Sequence, residues 1–348
     1  MLGTRFKNNG KNVWYLNKKQ LSTRDQVIDK LNNKEYELKK VSCAICNSRN
    51  FEQLSEKERF GIPLSVVICK ICGLVQTNPR MSKEAYNNFY NNEYKILFDK
   101  IHGSDELYYR IIKKRARCIY SYIQDYLKTE IKNKFVVEIG TGVGGILSYF
   151  KEKGNEVYGV DLTQRCVHFC KKKGLNVELG STEKLGKLKK SPDILIYSHI
   201  LEHIPEPLEE LRKIKNLAKD GCLIFIAVPG IKNLYNTHEM NFLRYLELPH
   251  VYHYTKETLI NLFHKEGGYK IIKINYKINA LIKVDKSVKC KKYVSDYADC
   301  LVFLKKLEKD KIKYLSKYGM ETIIIKFLKK IGVFSTIKKA YFKYGKFK

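Results

Sequence analysis

Apolar positions change their period several times along the chain, and each change marks an expected element. Residues 1–40 are polar and lysine-rich, with Trp14 and Tyr15 as isolated apolar anchors, and read as a lead-in. Ile62-Pro63-Leu64 and then Ser65 to Ile68 read as a strand. Ser82 stands where an N-cap belongs, ahead of a short helix carrying Tyr86, Phe89 and Tyr90. The longer helix that follows places Leu107, Ile111, Cys118, Ile119, Tyr122 and Tyr126 on one side. From Lys134 onward short β-branched runs alternate with helical patterns. Strands are expected at Phe135 to Glu138, Glu156 to Val160, Asn176 to Leu179, Asp193 to Ser198, Cys222 to Val228 and Tyr269 to Ile278. Helices are expected from Ile146, and over Thr163 to Lys173, Pro207 to Ala218 and Thr255 to Lys265. Pro207 suits a first helical turn, where its missing N–H needs no partner. This alternation predicts an α/β, doubly wound, Rossmann-like parallel sheet. Beyond about residue 290 the sheet pattern stops; Cys290 to Tyr318 reads as a helix, followed by the basic stretch Met320 to Lys348. The expected segments are 1–40, 41–80, 81–130, 131–288 and 289–348.

Chemistry enters at Phe135-Val136-Val137-Glu138-Ile139-Gly140-Thr141-Gly142-Val143-Gly144-Gly145. Glycines after a strand let the backbone turn sharply and approach a ligand. Gly140, Gly142 and Gly144 form E-x-G-x-G-x-G, which differs from the G-x-G-x-x-G dinucleotide fingerprint. Glu138 turns a carboxylate towards the loop, which suits a cationic or amine-bearing ligand better than a pyrophosphate. The next strand ends in Asp161, placed to accept hydrogen bonds from ribose hydroxyls.

This arrangement resembles the class I S-adenosylmethionine-dependent methyltransferases. The resemblance continues through Ser198-His199-Ile200-Leu201-Glu202-His203-Ile204-Pro205-Glu206-Pro207, similar to the family's segment after its fourth strand. It implies S-adenosyl-L-methionine lying across the carboxyl ends of the strands. Gly140, Gly142 and Gly144 would contact the methionine part and Asp161 the ribose. Gly180-Ser181-Thr182-Glu183 would lie at the level of the adenine ring, and Ser198 at the mouth of the site. A nucleotide-binding Rossmann domain of another kind is the alternative.

Two cysteine pairs precede this region, Cys43-Ala44-Ile45-Cys46 and Cys69-Lys70-Ile71-Cys72-Gly73. Their separation of about 22 residues fits a four-cysteine zinc site. Each pair bends as a knuckle, and Gly73 eases the turn after Cys72. Four protein ligands leave no open position, so the expected Zn2+ is structural; four unliganded cysteines and a redox pair are the alternatives. Cys69 through Arg80 resembles zinc-ribbon methyltransferases of sugar and surface-polysaccharide pathways, deoxysugar C-methyltransferases among them. In those families this region packs over the donor and acceptor, which makes Tyr90 and Tyr94 lid candidates as well as ordinary core aromatics. After residue 290 the chain departs from the three-domain deoxysugar enzymes, since no second α/β pattern appears.

Composition changes the picture little. Apolar content of 44% is ordinary for a globular chain, and no apolar run approaches the ~20 residues of a membrane span. The first residues lack a signal-peptide core, so a cytoplasmic location is expected. Ten cysteines in that setting argue for thiols or metal over disulfides. The formal net charge of +30 would attract phosphate-rich partners or anionic membrane, but its lysines are spread along the whole chain. The apolar and basic residues of Met320 to Lys348 form a pattern that can lie on an anionic membrane at its inner face, or pack on the domain.

Methyl transfer to a hydroxyl needs a base as well as positioning. Histidine suits that role near neutral pH. His199, His203, His238, His250 and His253 fall at the carboxyl edge of the expected sheet. When Tyr254-Thr255 is aligned on the deoxysugar enzymes, His250 falls on their proposed catalytic histidine, while their preceding glutamate is Pro249 here. That departure leaves oxygen and carbon methylation both open, and His203 is the second candidate base. The expected acceptor is a sugar, nucleotide-linked or in a glycan. An RNA acceptor is suggested by zinc with basicity but lacks a supporting motif, and a non-catalytic donor-binding scaffold is opposed by the intact Glu138, glycines and Asp161.

Overall fold

The computed structural model describes residues 1–98 and 104–312. The N-terminal part runs α1 (Lys18–Asn32), β1 (Leu38–Lys39), β2 (Phe51–Lys57), β3 (Pro63–Cys69), β4 (Val75–Thr77), β5 (Arg80–Met81), α2 (Lys83–Asn92) and α3 (Tyr94–Phe98). The first 40 residues are more than a lead-in. Asn17 and Gln20 close a capping box on α1, and Phe6, Leu16, Val27 and Tyr36 are buried in the common core. Of the two expected anchors, Trp14 stacks beneath the guanidinium groups of Arg59 and Arg244, but Tyr15 is 86% exposed.

The remaining elements are α4 (Asp105–Leu127), β6 (Phe135–Ile139), α5 (Gly145–Glu152), β7 (Glu156–Asp161), α6 (Gln164–Lys172), β8 (Val177–Leu179), β9 (Ile194–Ser198), α7 (Pro207–Leu217), β10 (Leu223–Ala227), α8 (Phe242–Tyr245), β11 (Tyr252–His253), α9 (Lys256–Glu266), β12 (Tyr269–Ile274) and β13 (Asn279–Val284). Seven strands form one sheet in the order β12-β13-β10-β9-β6-β7-β8. Strands β6 to β10 are parallel, as their near-continuous apolar runs require when both faces are covered. Alternate residues serve the two faces. Val136, Ile194, Ile196 and Phe225 pack with α4, α5 and α6, whereas Val137, Ile139, Leu195, Tyr197 and Ile224 join a core shared with α7, α9 and the N-terminal part.

Three expectations are corrected. The single strand expected over Tyr269 to Ile278 is the hairpin β12–β13, and β13 lies antiparallel to both β10 and β12, so the sheet is mixed. Helix α4 buries Tyr109, Ala116, Ile119, Tyr120 and Ile123, while Leu107, Ile111, Cys118 and Tyr126 face outward. The helix expected from Cys290 begins only at residue 297, after an irregular strap, and is described to residue 312. Met320 to Lys348, with its expected membrane contact, lies outside the described residues. No helix among the described residues is long and apolar enough to cross a membrane.

The fold positions its site through a second sheet, ordered β11-β4-β3-β2. Strand β11 follows the His250 loop, yet it pairs with β4, three residues beyond Cys72. Thr77 reinforces the junction. Its N–H donates to the Val251 carbonyl at 2.9 Å and its hydroxyl to the His250 carbonyl at 3.2 Å. The cysteine-bearing part and the connection from β10 to α9 therefore share backbone hydrogen bonds at the His250 loop.

Candidate active site

Strand β6 ends in a tight turn with positive φ at Gly140, Gly142 and Gly144, the region that favours glycine. Gly140 has φ of 69° and lies against Ile200, whose Cδ1 would be 2.0 Å from an added Cβ. Gly142 has φ of 54° and open space where a Cβ would point, so its backbone can face a ligand. Gly144 is the N-cap of α5. Glu138, 2% exposed, reaches the same turn, and its Oε2 has no hydrogen-bond partner. Burial, and secondarily the Asp161 carboxylate, push the Glu138 carboxyl well above the usual range. A buried carboxyl with one unpartnered oxygen beside an open glycine face fits a ligand with an ammonium group, whose charge would favour the ionised form.

Asp161 ends β7 beside this turn. One carboxylate oxygen accepts the Gly142 N–H at 2.7 Å and the other the Thr163 N–H at 2.8 Å. It holds the glycine turn in place, and each oxygen keeps acceptor capacity for a ribose hydroxyl. Leu162, the next residue, is an apolar side chain left 78% exposed. The Ser181 hydroxyl donates to Glu183, and Ser198 is half-buried at the end of β9.

The loop after β9 leads to a second group of side chains. His199 takes φ of 58°, uncommon for a residue with a Cβ, and its N–H donates to the Ala227 carbonyl at 2.7 Å. Its Nδ1 is 3.4 Å from Glu202 Oε1; burial opposes a charge on this ring, but Glu202 outweighs it and raises the pKa. Glu202 is 1% exposed, and neither carboxylate oxygen makes a hydrogen bond. His203 Nδ1 lies 3.0 Å from the Pro249 carbonyl and 3.0 Å from the Tyr90 hydroxyl. Because a carbonyl only accepts, the contact with Pro249 has His203 Nδ1 as the donor. The rings of His203 and His250 are 4.7 Å apart, and Glu202, His203 and His250 bring one polar atom each within 4.8 Å of one another.

Both expected base candidates therefore meet, from positions 47 residues apart in sequence. Burial first, and then His203, His253, Arg59 and His199, hold the His250 imidazole well below its ordinary pKa, so the ring is neutral. His253 is buried below Tyr245, both ring nitrogens lack partners, and burial lowers its pKa to about 3. His238 packs on the same tyrosine and is lowered to about 4, by burial first. Tyr90 and Tyr94 stand beside the cluster, with ring centroids 4.9 Å apart. Two participants carried no sequence signal. Arg59, 3% exposed, donates to Glu247 Oε1 at 2.6 Å, and Glu247 Oε2 lies 3.9 Å from His250 Nε2.

The four cysteines converge at the end of β3. Cys43 and Cys72 sulfurs are 3.4 Å apart, as are those of Cys46 and Cys69, and all four lie within 4.8 Å of one another. These separations exceed an S–S bond of about 2 Å and are close to the ~3.8 Å edge of a tetrahedral zinc–thiolate site. The residues fit a zinc ion.

Residues 110–274 match the family described as "Methyltransferase domain". A similar curated protein is the ubiquinone biosynthesis O-methyltransferase of Coxiella burnetii, 32% identical over 130 residues, which are 35% of this chain and 51% of that protein. The chain thus spans about half the length of the curated relatives it matches. Among solved structures, a SAM-dependent methyltransferase from Archaeoglobus fulgidus is 27% identical, with a TM-score of 0.38 over 52% of this chain and 78% of that one. The magnesium protoporphyrin IX methyltransferase from Synechocystis PCC 6803 with bound SAH is 14% identical, with a TM-score of 0.43 over 59% of this chain and 100% of that one.

Proposed function

We propose, on the premise of the S-adenosylmethionine-dependent methyltransferase domain that residues 110–274 form, that the protein methylates a sugar, nucleotide-linked or within a surface glycan. One observation carries the reading. The loop after β9 touches the glycine turn through Ile200 and supplies Glu202 and His203 to the imidazole cluster, so donor and acceptor ends adjoin. Oxygen is the favoured acceptor atom, because an imidazole base is useful for a hydroxyl and because the curated relatives are O-methyltransferases. Sugar as the acceptor class rests on the likeness of Cys69 through Arg80 and the His250 segment to sugar methyltransferases.

When bound, S-adenosylmethionine supplies a sulfonium-activated methyl group. Glu138 binds an ammonium in this scheme, the backbone at Gly140, Gly142 and Gly144 lines the ligand, and Asp161 receives ribose hydroxyls. Leu162 covers an apolar ring face, with Ser181 and Ser198 at the margins. His250 takes the proton of the acceptor hydroxyl, with His203 as the alternative. Cys43, Cys46, Cys69 and Cys72 hold a structural zinc that fixes the turn feeding β4 and, through β11, the His250 loop.

Calorimetry with S-adenosylmethionine, followed by methyl-transfer assays on a panel of nucleotide sugars, tests the proposal. Donor binding with turnover of a sugar supports it. Absence of donor binding rejects an enzymatic role, and salt-dependent RNA binding with RNA methylation moves the acceptor class to RNA.

A further inference from the structure

A neutral imidazole that takes up a proton in a buried site needs a counter-charge, or the imidazolium is too costly to form. The charged and titratable groups facing His250 come from four places. The loop after β9 supplies His199, Glu202 and His203, β11 supplies His253, the turn between β2 and β3 supplies Arg59, and its own loop supplies Glu247. Only two of these are carboxylates. Glu202 already faces His199 Nδ1 at 3.4 Å. Glu247 is different, because one of its oxygens is held and the other is left for His250.

The holding comes from rings and hydrogen bonds together, although Arg59 Nε has no hydrogen-bond partner. Arg59 is enclosed by the rings of Trp14, Phe60 and Phe98, with its guanidinium carbon 4.9, 4.9 and 5.2 Å from their centroids. Its backbone N–H donates to the Leu246 carbonyl at 3.2 Å, and its Nη1 donates to Glu247 Oε1 at 2.6 Å. The guanidinium is thus fixed by aromatic packing and holds the carboxylate by a charge-assisted bond. The Glu247 Oε2 to His250 Nε2 separation of 3.9 Å is too long for a direct hydrogen bond. At that separation the carboxylate acts on the ring through its charge. The His250 N–H also donates to the Glu247 carbonyl at 3.1 Å, so the two side chains rise from one turn.

We propose that Glu247, clamped by Arg59 of the N-terminal part, is the counter-charge that lets His250 accept a proton, and so is a positioning residue of the acceptor site. The inference rests on His250 as the base. The proton passes from the acceptor hydroxyl to Nε2 and then to water. Burial raises the Glu247 carboxyl, and Arg59 is the first of the groups that oppose that shift. The N-terminal part then contributes to chemistry, by way of Arg59, as well as to stability.

The test is an imidazole NMR titration of the full-length chain labelled at histidine, with His250 assigned by its loss in His250→Ala. Removing an opposite charge at this distance lowers a pKa by roughly 1–3 units, so Glu247→Gln should lower the His250 midpoint by that amount. Glu247→Asp should fall between Glu247→Gln and the wild type. Glu202→Gln should move His199 more than His250. An unchanged His250 midpoint in folded Glu247→Gln overturns the proposal, as does a His250 that stays neutral across the whole native pH range. If Glu247→Gln does not fold, Glu247→Asp decides, and a midpoint equal to the wild type overturns the proposal. A separate result, full methyl transfer by His250→Ala, would remove His250 as the base and leave the measured coupling standing.

Discussion

Asp161→Ala tests the donor end most directly, because the structure gives the carboxylate two jobs. It accepts the Gly142 and Thr163 N–H groups at 2.7 and 2.8 Å, and it is only 8% exposed. Truncation leaves both amide donors without their acceptor. A hydrogen bond to a charged group contributes about 1.5–3 kcal/mol, and an unsatisfied buried donor costs about 1–3 kcal/mol. Water entering the space vacated next to the open face of Gly142 offsets part of that loss. The net destabilisation should therefore be about 1–3 kcal/mol, or on the order of 1–4 °C in Tm for a chain of this size. Donor binding should suffer separately, since the ribose contact is lost and the turn at Gly142 is released. The expected loss is about 1.5–3 kcal/mol, which is a ~10–150-fold rise in Kd. Calorimetric titration with S-adenosylhomocysteine and thermal unfolding measured on the same samples separate the two effects. Asp161→Asn is the informative companion, because its one carbonyl oxygen can still accept one amide. It should recover part of the stability and less of the affinity. Unchanged donor affinity in a natively folded Asp161→Ala protein would refute the assignment of this strand end to the donor.

Three further outcomes are expected. In single-turnover methyl transfer to a sugar acceptor, His250→Ala should lose ~10²–10⁴ in rate with donor binding intact, and loss confined to His203→Ala would move the base to His203. One zinc should be found per chain by elemental analysis, and Cys69→Ser should lower both metal content and Tm; a metal-free native protein rejects the zinc reading. Glu58 is buried and its carboxyl is raised to about 8, by burial first, although it accepts the Phe60 and Ile62 N–H groups. Because the folded state holds this proton above the unfolded value of 4.5, its contribution is fully present below about pH 4.5 and is lost as pH rises through about 8. Glu58→Gln should flatten that fall in denaturant midpoints measured across the window, and identical pH profiles for the two proteins would contradict it.

What the sequence determined by itself was local. The passage from Phe135-Val136-Val137 to closely spaced glycines and then to Ile146, Leu147 and Phe150 signals strand, turn and helix within a few residues. The structure has β6, the turn and α5 there. The two C-x-x-C pairs were equally legible, because spacing alone constrains four sulfurs that must converge. Tertiary structure decided what depends on partners distant in the chain. Helix α4 carries apolar residues around much of its surface, and contact with the sheet selected the stripe through Ala116 and Ile123 rather than the one through Leu107 and Cys118. The hairpin β12–β13 was hidden because its turn ends at Ile278 with φ of 59°, a conformation local preference disfavours and complete burial enforces. Arg59 and Glu247 are 188 residues apart, and neither sits in a motif. Their meeting beside His250 follows only when β11 adds to the N-terminal sheet, since backbone pairing between separate segments sets side-chain neighbours that no local pattern records.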